Sequence, residues 1–464
     1  MTFYVFLTGL RKYVSSFFFL LTLAFLSFLI WFLPAPYLWV PASLFLCCCF
    51  LPLLAFDGRA YIPLIFFLAV SDREPIGIDR IPPYLLAAGG CIFLSLILFL
   101  ILRKLRLRKG ELFLPLFLLF FVFVLSYLIN AVRVQQAEGT GILFLVFFFV
   151  FLLLYIFFNT VLNREDTNLY FACNVAVLAV LISLQVFLDF AFNERTIGDS
   201  SFNLGWSYTS QTASTLLSLS LPFFTMLIAR KKYLAILFEL FVLSAIVVLS
   251  VDSSLLVVLF FLLPLLLLGF RSYGKAFPYL ALSFVVVLGL LFVFLLVYVP
   301  QFQSRVLLAL SSLNLGNTRP DYRQDLFETA IVGFLKYPAF GASISSMVSP
   351  SGVVILSSNT VLSTLSMGGS VGLLFFALYE FWLYFTSAKK ASDARWLFLL
   401  FLLEVDFIGL IDNTIYNLLV FLFLLLAYSC YQISDRQDDI LVHDNLSSSL
   451  SEDRDRSLAD SSNW

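Results

Sequence analysis

Thirteen apolar runs of bilayer-crossing length constrain this chain more than any other feature. They fall near residues 14–33, 37–56, 84–102, 112–130, 141–162, 169–191, 210–229, 233–251, 254–270, 277–299, 361–386, 396–411 and 414–431. A hydrocarbon core of ~30 Å takes about 20 helical residues, and a spanning segment must satisfy its own backbone hydrogen bonds, so each run reads as a helix. A fourteenth stretch, Ala60–Val70, is too short for an upright span. It either completes a short span after the Asp57-Gly58-Arg59 turn or forms half of a re-entrant hairpin with 37–56. The expected fold is all-α, a polytopic membrane helix bundle of 12–14 transmembrane helices. Residues 1–299 supply spans with short loops, 300–360 one large outer loop, and 361–431 the C-terminal spans. The tail 432–464, rich in Ser and Asp, cannot bury a core and is expected to be disordered.

Only 12% of residues are charged and 61% are hydrophobic, against about 25% charged in soluble domains, which excludes an ordinary globular protein. The 56 Phe are explained by lipid-facing bulk. The first run is too long for the apolar core of a cleaved signal peptide, so it reads as a span. Cys47, Cys48, Cys49, Cys91, Cys173 and Cys430 sit inside apolar runs without CxxC or Cys/His spacing, so neither disulfides nor a metal site is expected. No cofactor and no nucleic-acid partner is expected either.

Charge in such a chain matters by side rather than by sum. Residues 435–464 hold eight acids and three Arg, which leaves 25 of the 28 basic residues in the body. With the N-terminus inside, 17 of those 25 fall in short inner loops, including the run Arg103, Lys104, Arg106, Arg108, Lys109. Eight fall outside: Arg73, Arg80, Arg133, Arg195, Arg305, Arg319, Arg323 and Lys336. The expected topology therefore places both termini in the cytoplasm.

Two outer loops stand out, 192–209 and 300–360. In the second, Leu326, Ala330 and Gly333 or Phe334 share one helical face, and Pro338 and Gly341 end the pattern. An amphipathic helix at the membrane–water boundary is expected there. Cations kept on the side that topology disfavours suggest an anionic ligand, and Arg suits phosphate through its planar fork. Spacing alone leaves a second reading open, in which Asp321, Asp325 and Glu328 pair with Arg319 and Arg323.

Arg323 through Phe327 to Tyr337-Pro338-Ala339-Phe340-Gly341 resembles the "R…W…P-L-x-G-x-G" segment of the O-antigen ligase/O-antigen polymerase superfamily, with Phe327 at the aromatic position. The stretch from Ser358-Asn359-Thr360 through Leu365-Ser366-Met367-Gly368-Gly369 to Gly372-Leu373 is similar to that family's "H-N-x-x-L-x-x-L-x-E-x-G-x-x-G-L". Arg195-Thr196-Ile197-Gly198, followed by Asn203 and Leu221-Pro222, is similar to an earlier outer loop of the family. The resemblance covers roughly residues 190–385. It implies a membrane glycosyltransferase on the outer face of a bacterial inner membrane. The donor would be a polyprenyl-diphosphate-linked oligosaccharide and the acceptor a glycan or lipid, with no metal needed. Arg195, Arg319, Arg323 and Asn359 become candidate diphosphate contacts.

Where the family has His, this chain has Ser358, and its single histidine, His443, lies in the tail. The family's "S-R-G/S" appears as Ser250-Val251-Asp252-Ser253-Ser254. A base would then come from an outer carboxylate, so Asp252, Asp321 and Ser358 are the candidate catalytic residues, with Asp325 a further carboxylate. Capping is the plainer use of Ser358 and Asn359, just before a helix expected near Thr360. A flippase or other polytopic transporter is the competing reading. It is prompted by Glu404 and Asp406 within a span, Asp412 beside it, and glycine pairs at Gly89-Gly90 and Gly368-Gly369.

Overall fold

The computed structural model describes residues 2–55, 58–71, 83–134, 139–162, 167–193, 195, 197, 203–205, 208–271, 277–312, 323–342, 359–389, 395–412 and 416–432. Of the expected tail 432–464 only Gln432 is described, buried at the end of the last described helix; residues 433–464 lie outside the described residues. Seventeen α-helices are described: α1 Thr2–Val14, α2 Phe17–Phe32, α3 Trp39–Cys48, α4 Tyr61–Ala69, α5 Pro83–Arg103, α6 Phe113–Val134, α7 Gly139–Val161, α8 Thr167–Phe192, α9 Ser210–Ala229, α10 Leu234–Leu249, α11 Asp252–Phe270, α12 Phe277–Tyr298, α13 Pro300–Ser312, α14 Arg323–Lys336, α15 Thr360–Lys389, α16 Arg395–Ile411 and α17 Leu418–Gln432. One short antiparallel ribbon, β1 Asn203–Gly205 with β2 Tyr208–Thr209, precedes α9. Every apolar run of the sequence has become helix, as the need to satisfy backbone groups in hydrocarbon requires.

Seven of these helices are individually long and apolar enough to cross a membrane, or nine if the bent pairs α1–α2 (66°) and α12–α13 (107°) each form one span. Five more separate this number from the expected 12–14. The apolar segments Trp39–Leu54, Gly58–Ala69, α10 and α17 are shorter, and α16 has 17 residues that include Arg395, Glu404 and Asp406. Length and composition alone thus place the chain among multi-pass membrane helix bundles.

Contacts between helix ends sort the bundle into two ends that alternate along the chain. At one end Arg103 Nη2 donates to Ala55 O (2.6 Å), Arg108 N to Thr160 Oγ1 (2.9 Å) and Tyr155 Oη to Gln432 Oε1 (3.3 Å). At the other, Asn359 Nδ2 donates to Leu410 O (2.9 Å), Asn417 Nδ2 to Thr212 Oγ1 (2.8 Å) and Gln185 Nε2 to Val70 O (3.0 Å). The first end gathers Arg59, Arg103, Lys104, Arg106, Arg108 and Lys109; we call it the basic end, and its opposite the far end.

α9 runs through the middle, packed by α8, α10, α11 and α16. All but a few of its residues are buried although Ser210, Thr212, Ser214, Thr215, Ser218, Ser220 and Thr225 make it the most hydroxyl-rich span. Small residues let neighbouring backbones approach closely where lipid offers no hydrophobic drive between helices. Several hydroxyls turn back on their own helix: Ser218 Oγ donates to Ser214 O (3.0 Å) and Thr225 Oγ1 to Leu221 O (3.0 Å).

Among its described residues, the segment 300–360 carries two complete helices, α13 and α14. The expected amphipathic helix is α14, with Ala330 buried, and it stops two residues before Pro338, where the residue preceding a proline leaves the helical region. α13 was not anticipated. It turns sharply off α12 and buries Phe302, Val306 and Ala309 against Leu255, Leu256 and Ile411, so it lies across the far ends of α11 and α16.

Candidate functional site

Two of the sequence blocks singled out above meet backbone to backbone. α15 is interrupted at Gly369, whose φ of 65° and ψ of −160° are not helical. An interruption inside a span frees backbone groups that hydrocarbon cannot satisfy, so another segment must bond them. The turn after α14 does so. Ser370 N donates to Pro338 O (2.8 Å), Val371 N to Ala339 O (3.1 Å), and Ala342 N returns a bond to Ser366 O (2.7 Å). The Pro338–Ala342 turn is thereby stitched into the break.

Glycine is required on both sides of this seam. Gly341 has φ +68°, and a Cβ there would stand 2.5 Å from Ser366 O and 2.6 Å from Gly369 N. A Cβ on Gly369 would press on the Ala339 carbonyl and come within 2.5 Å of Gly341 N. All of these neighbours are backbone atoms, which cannot swing aside as a side chain would. α6 closes the seam from its other side. Ser126 Oγ lies 2.6 Å from both Phe340 O and Met367 O, and its one proton serves one carbonyl at a time. Asn130 Nδ2 donates to Gly341 O (3.1 Å) and to Ser126 O (2.8 Å).

The seam holds one end of α14 and leaves the other end to reach away from it. Fourteen residues at a ~1.5 Å rise put Arg323 about 20 Å along the helix axis from Lys336. The seam thus fixes the C-terminal end of α14, and with it the direction of the helix backbone toward position 323. For residues 323–329 the structure describes the helical backbone alone.

The remaining sequence candidates are spread over the far end. Arg195 is not an open cation: its Nε lies 3.3 Å from Asp189 Oδ2, a carboxylate that also accepts from Asn193 Nδ2 (2.5 Å). Its side chain is 22% exposed. Asn359 caps α15: its Oδ1 accepts from Val361 N (2.9 Å) and Leu362 N (3.1 Å), while its amide ties α15 to α16 through Leu410 O. The capping use considered from sequence is the one this geometry displays. Asn417 repeats the device at α17, accepting from Leu419 N (3.2 Å) while donating to α9. Asp252 is buried in the first turn of α11, where a carboxylate complements the helix dipole. Arg319, Asp321 and Ser358 lie outside the described residues. The structure thus gathers the far ends of α9, α11, α15 and α16 through Asn359, Asn417 and the α13 contacts, with Asp252 at one of those ends.

Within the bundle, Glu404 is fully buried, and neither of its oxygens has a hydrogen-bond partner among the described residues. Asp406 accepts from Tyr384 Oη at 2.5 Å, and Asp412 is buried at the far end of α16. Sequence reasoning passed over Glu239 on α10, which is as deeply buried and as unbonded as Glu404. It also passed over Ser126, Asn130 and Asp189. The available signal was the same for all four: an isolated polar side chain in an apolar run. Among the described residues, no three His, Cys, Asp or Glu side chains converge as a metal-ligand set. No family model matches the chain, and no curated protein matches it in sequence.

Proposed function

We propose that this chain is a membrane glycosyltransferase of O-antigen ligase/polymerase type, with its basic end in the cytoplasm and its far end on the outer face of a bacterial inner membrane. The observation that carries the reading is the seam. The two blocks that resemble the family, Tyr337–Gly341 and Ser366–Gly372, are separated by 24 residues from Gly341 to Ser366, yet they bond to each other directly. Their direct bonding supports reading the two motifs as parts of one site.

In this reading a hydroxyl of the acceptor glycan or lipid attacks the anomeric carbon of the sugar on a polyprenyl-diphosphate carrier. The bond from that carbon to the phosphate oxygen breaks, and the carrier leaves as a diphosphate. Fixed cations in a water-poor site stabilise the charge that develops, a role for Arg195, Arg319 and Arg323. The acceptor's proton passes to an outer carboxylate, Asp252 or Asp321, since the chain has no histidine outside its tail.

The test is Arg323→Ala in the native host, with surface glycan resolved on a gel at matched protein level. Loss or shortening of the ladder is expected; an unchanged ladder removes Arg323 from the reaction. A lipid-linked oligosaccharide flippase is the alternative, and Glu404 is the observation that favours it. The glycine pairs favour it less. α5 continues unbroken through Gly89-Gly90, and the break in α15 has its amides bonded to Pro338 and Ala339, so it presents no open half-helix end to an ion. A deletion strain that accumulates unpolymerised, outward-facing glycan excludes transport as the main role.

A further inference from the structure

The connection between α5 and α6 is built as more than a topology signal. It carries five cations in seven residues, from Arg103 to Lys109 in the order Arg-Lys-Leu-Arg-Leu-Arg-Lys, with no acid before Glu111. Lys104, Arg106, Arg108 and Lys109 are exposed and form no ion pair among the described residues. Glu111 instead accepts from Tyr428 Oη (3.4 Å).

Both ends of this strap are fixed. Arg103 donates to Ala55 O, and Lys104, with φ +50°, turns the chain off α5. Arg108 N donates to Thr160 Oγ1 (2.9 Å), and Leu112 N to Tyr155 Oη (3.0 Å). Gly110, with φ +71°, sits where a Cβ would come 2.6 Å from that same Tyr155 hydroxyl. Between these anchors the backbone is neither helix nor strand and is held out from the bundle.

The leucines identify the ligand. Leu105 and Leu107 alternate with the cations and are 37% and 65% exposed, in the connection between the ends of two helices long and apolar enough to cross a membrane. A soluble polyanion would pair with the cations and leave both leucines in water. A phospholipid offers phosphate and acyl chain together. We propose that the strap 103–109 is a docking site for anionic phospholipid headgroups at the basic end of the bundle. The guanidinium and ammonium groups take the phosphate while the leucines enter the boundary of the acyl region. Its anchored backbone spares most of the ordering cost that a free loop would meet on binding.

Purified full-length protein in neutral detergent is titrated with phosphatidylglycerol or phosphatidylcholine, and bound lipid is read by native mass spectrometry. Phosphatidylglycerol is expected to bind more tightly, and more weakly as salt is raised. The variant R106Q/R108Q/K109Q should lose about a hundredfold in that affinity, taking the usual contribution of a basic residue near an anionic surface for each of three charges. Arg106→Gln alone should lose severalfold, which keeps the test informative if the triple variant does not fold. A control variant, R230Q/K231Q/K232Q, removes three charges from the α9–α10 turn, outside the strap, and should retain most of the affinity. Equal binding of the two lipids, equal loss in the control, or competition by inorganic phosphate at matched concentration would each overturn the proposal.

Discussion

Replacing Gly369 with alanine tests the seam directly, because the new methyl group meets backbone on every near side. Two costs add. A non-glycine residue held at φ +65°, ψ −160° costs about 1–3 kcal/mol. Relieving the Cβ contacts with Ala339 and Gly341 requires the turn to back away by roughly 1 Å, since ordinary contact begins near 3.4 Å. That movement carries the Ser370–Pro338 bond, now 2.8 Å, and the Val371–Ala339 bond, now 3.1 Å, beyond useful range. Each buried pair left unmade costs about 1–3 kcal/mol, so the total is about 3–9 kcal/mol, a large part of the ~5–15 kcal/mol that holds most folds. The assay is equilibrium unfolding of purified protein in mixed micelles of rising denaturing-detergent fraction. Gly372→Ala is the control, since its Cβ would approach nothing nearer than Thr364 O at 3.5 Å. It should cost less than about 1 kcal/mol. If Gly369→Ala and Gly372→Ala unfold within about 1 kcal/mol of each other, the seam is not the constraint described here.

Other consequences follow from the same contacts. Ser126→Ala removes the one hydroxyl shared by Phe340 O and Met367 O and should cost about 1–3 kcal/mol in that unfolding assay; Ser126→Thr, which keeps the hydroxyl, should recover part of it. For Asn359, Asp preserves the cap and loses the tie to Leu410, whereas Ala loses both. Stability should therefore fall from wild type to Asp to Ala in steps of about 1 kcal/mol, and equal losses would refute the division of labour. Arg195→Gln should destabilise more than Asp189→Asn, because the carboxylate is 3% exposed and the guanidinium 22%, so only the cation can be rehydrated where it stands. A thermal-shift series in detergent reads that order, and the reverse order would show that Arg195 owes its position to something other than Asp189.

Much of this could be read from the chain before any packing was known. An amphipathic helix with Leu326, Ala330 and Gly333 or Phe334 on one face was expected before Pro338, and α14 occupies Arg323–Lys336 with Ala330 buried, because a 3.6-residue period and a following proline are local facts. The cap at Asn359 was legible for the same reason. α13 was not, since a polar start, Pro300-Gln301-Phe302-Gln303, hides a helix whose apolar face is completed only by Leu255, Leu256 and Ile411. Glu239 and Asp189 were visible as polar residues in apolar runs; the partners of Asp189, Asn193 and Arg195, are local in sequence, whereas the burial of Glu239 depends on helices that pack around α10.

Composition and periodicity determined that the chain must be a many-span helix bundle, because hydrocarbon tolerates no unpaired backbone and each apolar run can pair its own. The resemblance to O-antigen ligases and polymerases marked two glycine-bearing blocks as worth attention. Only the tertiary structure decided that these blocks form a single object. The amides freed after Gly369 find their partners outside their own helix, and the carbonyls four residues before them, Ser366 O and Met367 O, accept from Ala342 N and Ser126 Oγ. The amides are satisfied by Pro338 and Ala339, some thirty residues earlier, and α6 brings Ser126 and Asn130 against that turn from more than 200 residues away. A break inside a membrane is a local event whose remedy is necessarily non-local.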